Sequence, residues 1–233
     1  MSKLLRPNRQ EAILYDPDLI DQISSAQFCA DAWPQQRRLG ANAGGRGSTY
    51  FVGTSDLSFA LRHYYRGGLP GRVLRDQYLY LGEEASRSFR EFRLLKELVR
   101  LRLPVPRPVA ARLVRWGLIY RADLLTVRIP DVHSLAEALQ QNTPVDWHAV
   151  GTTIRKFHEH DIYHADLNTH NIQLGSESVW LLDFDRGSIR AAGSWKESTL
   201  ERLYRSMRKV TRGRKAQESI EGYWQEFLSA YAR

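Results

Sequence analysis

The chain has 233 residues, 42% of them hydrophobic, which suits one domain of two packed parts and is short for three. Its formal charge of +8 comes from 28 Arg and only 6 Lys; the bias fits anionic partners, which guanidinium grips bidentately, and fits a GC-rich coding sequence equally. The sole cysteine, Cys29, excludes an intrachain disulfide and a cysteine metal site, and is read as a small buried hydrophobe.

The opening stretch "MSKLLRPNRQEAILYD" has no apolar core of signal-peptide length, and no run approaches the roughly 18 apolar residues of a membrane span. A cytosolic chain, or one on the cytosolic side of a membrane, is expected. "GANAGGRGSTYFVG" (40–53) reads as a glycine turn entering a strand, with "LSFALRHYY" (57–65) as its hairpin partner. "SRSFREFRLLKELVRL" (86–101) is a helix that gathers Phe89, Phe92, Leu95 and Val99 on one face. "LPVPRP" (103–108) ends it, because a residue before proline avoids helix. Two strand-like runs follow, "VAARLVRW" (109–116) and "LIYRADLLTVRI" (118–129), and then the turn "IPD" (129–131).

Beyond that turn the periodicity becomes helical, over 134–141 and over 147–160 behind a capping Asp146, with Val150, Ile154 and Phe157 inward. The loop "YHADLNTHNIQL" (163–174) comes next, then a short buried strand with its turn, "SVWLLDFDRG" (178–187). Two helices, about 195–209 and 215–231, close the chain. The expected class is α+β: a strand-rich half with one helix, a helical half, and a cleft near 129–131.

Asp166 stands five residues before Asn171, and Asp183 follows 12 residues later at the end of an apolar strand. Phosphoryl transfer to a hydroxyl needs one carboxylate to orient that hydroxyl and take its proton. It also needs hard oxygen ligands for the Mg2+ that bridges the nucleotide phosphates. Asp166 fits the first task, and Asn171 and Asp183 fit the second. Each alone is as well explained as a turn cap; the joint spacing, with His164 and Phe184, is what argues for chemistry. His164 is expected to hold the loop, His170 is given no role, and Asp185 either assists the metal or bonds the loop backbone.

Upstream, Gly44, Gly45 and Gly47 lie where bare backbone approaches phosphates, although a plain hairpin loop explains them equally. The following strand should carry a cation toward the α- and β-phosphates. No lysine occurs between Lys3 and Lys96, so "FALRHY" offers Arg62. Its expected partner is Glu91, which borders the buried face of the 86–101 helix, whereas Glu97 reads as more exposed.

With those residues placed, "LRHYYRGGLPGRV", "FREFRLLKEL", "LPVPRPVAAR", "YHADLNTHNIQL" and "WLLDFDRG" cover about 40–190 in order. In these motifs the chain resembles the bacterial 3-deoxy-D-manno-octulosonic acid (Kdo) kinases, a lipopolysaccharide-kinase branch of the protein-kinase-like superfamily. The resemblance implies a single catalytic domain of two lobes: an antiparallel-sheet N-lobe with one helix (about 1–129), a hinge (about 129–133) and a mostly helical C-lobe (about 134–233). It implies ATP and Mg2+, with Asp166 as base and Asn171 and Asp183 on the metal. It further implies transfer to a hydroxyl, the 4-OH, of Kdo attached to a lipid A precursor, by a peripheral protein on the cytoplasmic side of the bacterial inner membrane. Arg62 stands where protein kinases carry lysine, "DFD" replaces "DFG", and little chain remains after Asp183 for an activation segment; these departures weaken a protein-kinase reading. A heptose kinase of the lipopolysaccharide core is the alternative, and an aminoglycoside-type or RIO-like kinase a third.

Such an acceptor carries a carboxylate and phosphates on a membrane anchor. Arg202, Arg205, Arg208, Lys209 and Arg212 recur at short helical steps on the first closing helix, with Leu203, Met207 and Val210 as its apolar side. A basic amphipathic helix suits an anionic membrane surface, and a solvated helix face suits the pattern as well. "YYRGGLPGRVLR" adds aromatics beside Arg66, Arg72 and Arg75. The charge also suits nucleic acid, but none of its modular motifs is present and no nucleic-acid partner is expected.

Overall fold

The structure, a computed structural model, describes residues 1–38, 49–54, 57–66 and 76–233. Its contacts divide the chain into two units, Met1–Glu97 with Pro106–Arg128, and Leu98–Val105 with Ile129–Arg233. Gly44, Gly45, Gly47, Arg72 and Arg75 lie outside the described residues.

In the first unit the strands are β1 (Lys3–Asn8), β2 (Glu11–Tyr15), β3 (Gln35–Arg38), β4 (Thr49–Gly53), β5 (Ser58–His63) and β6 (Tyr78–Leu79), followed by helix α1 (Arg87–Arg100), β7 (Pro108–Trp116) and β8 (Ile119–Val127). They form one sheet in the order β1-β2-β7-β8-β5-β4-β3, with β6 on the remaining length of β8, and every pairing is antiparallel. Side chains alternate across a strand, so β5 splits its work. Phe59 and Leu61 join Ile13, Val52, Val109, Ala110 and Leu125 in a core that Ile23 and Phe28 complete. Arg62 and Tyr64 face the other way, onto Glu91 of α1. The buried stripe of α1 is Phe89, Phe92, Leu95 and Leu98. Leu98 thus takes the inward position expected of Val99, which is only partly covered.

The sequence reading did not assign β1 and β2. Pro7 argues against a central strand, and β1 is an edge strand, where the missing N–H costs nothing. Cys29 was expected to be buried; it is exposed, between two short 3₁₀ turns, Ser25–Phe28 and Ala30–Ala32. The buried member of that segment is its neighbour Phe28.

Besides the end of α1 from Leu98, the second unit holds β9 (His133–Ser134), α2 (Leu135–Gln141) and α3 (Trp147–Glu159), then β10 (Ile162–Tyr163), β11 (Ile172–Leu174), β12 (Val179–Leu181) and β13 (Ser188–Ile189). It closes with α4 (Trp195–Thr211) and α5 (Ile220–Ala232). Ser134 and Glu137 form a reciprocal capping box on α2, and the Asp146 carboxylate takes the Ala149 amide at the start of α3. The single helix expected over 215–231 is interrupted: a 3₁₀ turn, Lys215–Gln217, precedes α5. Gly151 lets α5 lie tight on α3, since a Cβ there would stand 2.5 Å from the Phe227 carbonyl oxygen. Among the described residues no helix is long and apolar enough to cross a membrane.

His158, buried on α3, joins α3 to α4 and α5. Its Nδ1 is 2.7 Å from the Tyr231 hydroxyl and its Nε2 is 3.2 Å from the Thr199 hydroxyl. Burial, then the charge of Lys196 and of His164, lowers its pKa to about 4. The unfolded chain binds this proton near pH 6.5, so the unfolded state is the better proton acceptor between 6.5 and 4. Stability is therefore present above pH 6.5 and is lost as pH falls toward 4, by up to about 3 kcal/mol for a shift of this size. His63 acts oppositely. Burial alone lowers its pKa, but hydrogen bonds and charge from Asp123 and then Asp76 outweigh burial and raise it, so its contribution is lost as pH rises. Urea melts of the parent and His158→Gln at pH 7.5 and 5.0 separate the two: the variant is expected to lose much less stability on acidification. Equal losses would remove His158 from this role.

Candidate active site

The second unit carries two loops at the ends of small antiparallel pairs. β10 leads into the loop 164–171, which returns as β11; β12 leads into the loop 182–187, which returns as β13. Because β10 pairs with β13 and β11 with β12, the roots of both loops are fixed side by side. Ile172 pairs with Leu181, and one step outward the Leu182 amide donates to the Asn171 carbonyl at 2.9 Å. The register thus sets Asp183 one residue beyond the neighbour of Asn171.

The first loop is held by its own amides. The Asn171 Nδ2 donates to the Asp166 carbonyl at 2.9 Å, and the Asn168 Nδ2 donates to the same oxygen at 3.0 Å. The Asn168 Oδ1 accepts the amides of His170 and Asn171. His164 is buried and both its nitrogens are occupied: Nε2 lies 2.8 Å from the Leu182 carbonyl, and Nδ1 accepts the Asp166 amide at 3.2 Å. Burial lowers its pKa against the opposing pull of that carbonyl, Asp183 and Asp166, which fits a neutral ring. Its ring packs 4.8 Å from Phe184, which stacks on Phe157. These contacts make His164 and Phe184 the joint between the two loops.

Asp166 itself points outward, its side chain 54% exposed. Asp183 has φ +63°, a left-handed conformation that costs a non-glycine residue about 1–2 kcal/mol. One of its carboxylate oxygens lies 3.4 Å from the Asp185 amide. Among the described residues no three His, Cys, Asp or Glu side chains cluster closely enough to hold an ion unaided. The Asn171 amide oxygen and the Asp183 carboxylate are hard donors of the kind Mg2+ takes when substrate phosphates complete its shell.

Sequence reasoning missed one neighbour. Arg202 of α4 brings Nη1 to 3.7 Å from Asp166 Oδ1, and four residues on, the Ser206 hydroxyl meets the buried Thr169 (2.9 Å to its hydroxyl, 3.2 Å from its amide). Helical spacing already put 202 and 206 on one face of α4; the signal was lost because arginine recurs at 202, 205 and 208 along the second half of the helix. Arg205, in contrast, lies 3.6 Å from Glu201 on an exposed face.

In the first unit, Arg62 of β5 donates from Nη2 to Glu91 Oε2, and the Tyr64 hydroxyl donates to the same oxygen at 2.6 Å. Glu91 is 3% exposed. The Arg62 guanidinium also lies 4.6 Å over the Tyr64 ring. Burial, then the Glu91 charge, holds the Tyr64 hydroxyl well above its ordinary pKa, so it remains a donor.

Residues 30–231 match the lipopolysaccharide kinase (Kdo/WaaP) family. The chain is 42% identical over 224 residues to a 3-deoxy-D-manno-octulosonic acid kinase of Photobacterium profundum, covering 95% of this chain and 94% of that one. Proteins of the same name from Xanthomonas axonopodis pv. citri (43% over 223 residues, 94% and 89% covered) and Vibrio parahaemolyticus (41% over 202 residues, 85% of each) are similar. Among solved structures, WaaP in complex with acyl carrier protein aligns with a TM-score of 0.54 over 94% of this chain and 99% of that one; at 12% identity this likeness is one of fold, and it fits a kinase-like fold.

Proposed function

The chain belongs to the lipopolysaccharide kinase (Kdo/WaaP) family, and we propose that it transfers the terminal phosphate of ATP to a hydroxyl of Kdo borne on a lipid A precursor, the 4-OH being the position attacked. The observation that carries this reading is identity above 40%, sustained along almost the whole of both chains, to proteins named as Kdo kinases. The local chemistry supports it. Asp166, exposed on a loop that other side chains hold, orients the acceptor hydroxyl and accepts its proton. Asn171 and Asp183 would hold the Mg2+, which would supply positive charge to offset that of the phosphates. Arg62, fixed by Glu91, grips the nucleotide phosphates; Gly44, Gly45 and Gly47 belong to the same proposal by sequence alone. The units serve as the two lobes of one catalytic domain, with residues 129–133 as the hinge. A lipid-borne acceptor puts the protein at the cytoplasmic face of the inner membrane as a peripheral protein.

The decisive assay incubates the pure protein with labelled ATP, Mg2+ and a panel of acceptors: Kdo–lipid A precursor, heptose-extended core, and an aminoglycoside. Label is expected on the Kdo acceptor alone, with the phosphorylated carbon identified by phosphorus–proton NMR correlation. Label on heptose would overturn the substrate, and a different Kdo carbon would overturn the position.

A further inference from the structure

One corner of the first unit's sheet is apolar and uncovered. Trp116 pairs with Ile119, and Ile119 pairs with Leu79, so the three stand in a row on one face. Trp116 is 42% exposed and Leu79 58%; Leu118 in the turn and Leu81 just past β6 are each 75% exposed. A hydrogen bond from the Tyr80 amide to the Leu118 carbonyl, 2.8 Å, ties the β6 end to the hairpin tip. Scattered single leucines are ordinary on a protein surface, but four large apolar side chains on neighbouring backbone positions form a patch.

The charges around the patch fall in a pattern. Arg121 lies 5.2 Å over the Trp116 ring and pairs with Asp76 at 2.8 Å. Glu83 pairs with Arg6 and Glu84 with Arg93. Each acid at this edge is matched by an arginine, and Arg115, stacked 4.1 Å over Tyr80 with its Nε on the Gly117 carbonyl, adds a further positive charge. The shape is a tight hairpin tip, with Gly117 at φ +57° in the two-residue turn between β7 and β8. A tip that presents leucines and tryptophan, with guanidiniums beside the rings, is suited to a lipid interface. There the apolar groups enter the acyl boundary, the rings sit at headgroup depth and arginine reaches lipid phosphate.

We propose that this corner, formed by Leu79, Leu81, Trp116 and Leu118 with Arg115 and Arg121, inserts into an anionic lipid surface. The inference deepens the peripheral placement argued above and rests on it only for the origin of the lipid; its test uses neither ATP nor acceptor. The full chain is sedimented with vesicles of phosphatidylglycerol and phosphatidylethanolamine at low and high salt. A Leu81→Asp, Leu118→Asp double variant changes two exposed positions and spares the core. It is expected to lower vesicle partition about tenfold to a hundredfold, removing the part of binding that survives high salt. Replacing Arg205, Arg208 and Arg212 by Gln is expected to remove only a salt-sensitive part. Trp116 emission should be quenched by bromine-labelled lipid, a signal absent in Trp116→Phe.

Parental vesicle binding by the double variant would overturn the proposal. So would a parent that self-associates through this corner while the double variant becomes monomeric with vesicle binding unchanged. The double variant should retain parental phosphorylation of a deacylated, water-soluble acceptor. If no acceptor is phosphorylated but lipid binding still depends on the corner, the activity reading fails and this inference stands.

Discussion

Replacing Asp166 by alanine is expected to lower turnover by a factor of about 10²–10⁴, some 3–5 kcal/mol of transition-state stabilisation, while the KM for ATP stays near parental. The loop does not depend on the carboxylate. Its shape is set by the Asp166 carbonyl, which takes the side-chain amides of Asn168 and Asn171, and by the Asp166 amide, which donates to His164. Alanine keeps both backbone groups, and the side chain lost is half exposed with one long contact to Arg202. The protein should therefore unfold at the parental urea concentration while failing to turn over. His164→Ala makes the informative contrast. It removes a buried ring whose two nitrogens join the loops, so its loss of activity should come with a loss of stability. Undiminished turnover in Asp166→Ala would take the base away from this residue, and a matching loss of stability would make its role structural.

That separation between loop scaffold and exposed acid also explains what the sequence made legible. Asp166, Asn171 and Asp183 sit within one stretch of 18 residues, so the chemistry they offer is written in local spacing. The choice of Glu91 over Glu97 rested on helical phase relative to Phe92 and Leu95, and it is Glu91 that the structure gives to Arg62. Long-range pairing was harder to read. β2 inserts between β1 and β7, nearly a hundred residues away in sequence, and nothing in "EAILY" specifies that neighbour. β1 shows no apolar alternation because all six of its residues are exposed. Arg202 was hidden among like residues: a run of arginines at helical steps looks the same whether a given one meets solvent, lipid or an aspartate. Trp116, Leu118, Leu79 and Leu81 are distant enough in sequence that only the register of β6, β7 and β8 collects them into a patch.

The Arg62–Glu91 pair yields the largest expected effect in the first unit. Glu91→Ala removes the carboxylate that receives both the Arg62 guanidinium and the Tyr64 hydroxyl at a position 3% exposed. Taking away one partner of a largely buried ion pair costs up to about 3–5 kcal/mol, because the Arg62 guanidinium and the Tyr64 hydroxyl lose the acceptor they share. This variant should fold marginally, so it cannot by itself separate a phosphate clamp from a structural strut. Arg62→Lys can. Lysine keeps a positive charge opposite Glu91 and spares most of the fold, but its ammonium is a point charge without the planar, bidentate grip that a guanidinium makes on phosphate. Losing one charge-assisted hydrogen bond to the nucleotide corresponds to roughly 1.5–3 kcal/mol, a rise in the KM for ATP of about tenfold to a hundredfold. The KM for acceptor and the urea midpoint should move little. A parental ATP KM in Arg62→Lys would mean that the clamp lies elsewhere and that the pair only braces α1 against β5. A midpoint that falls as far as that of Glu91→Ala would mean that the planar guanidinium, rather than the charge, carries the stability.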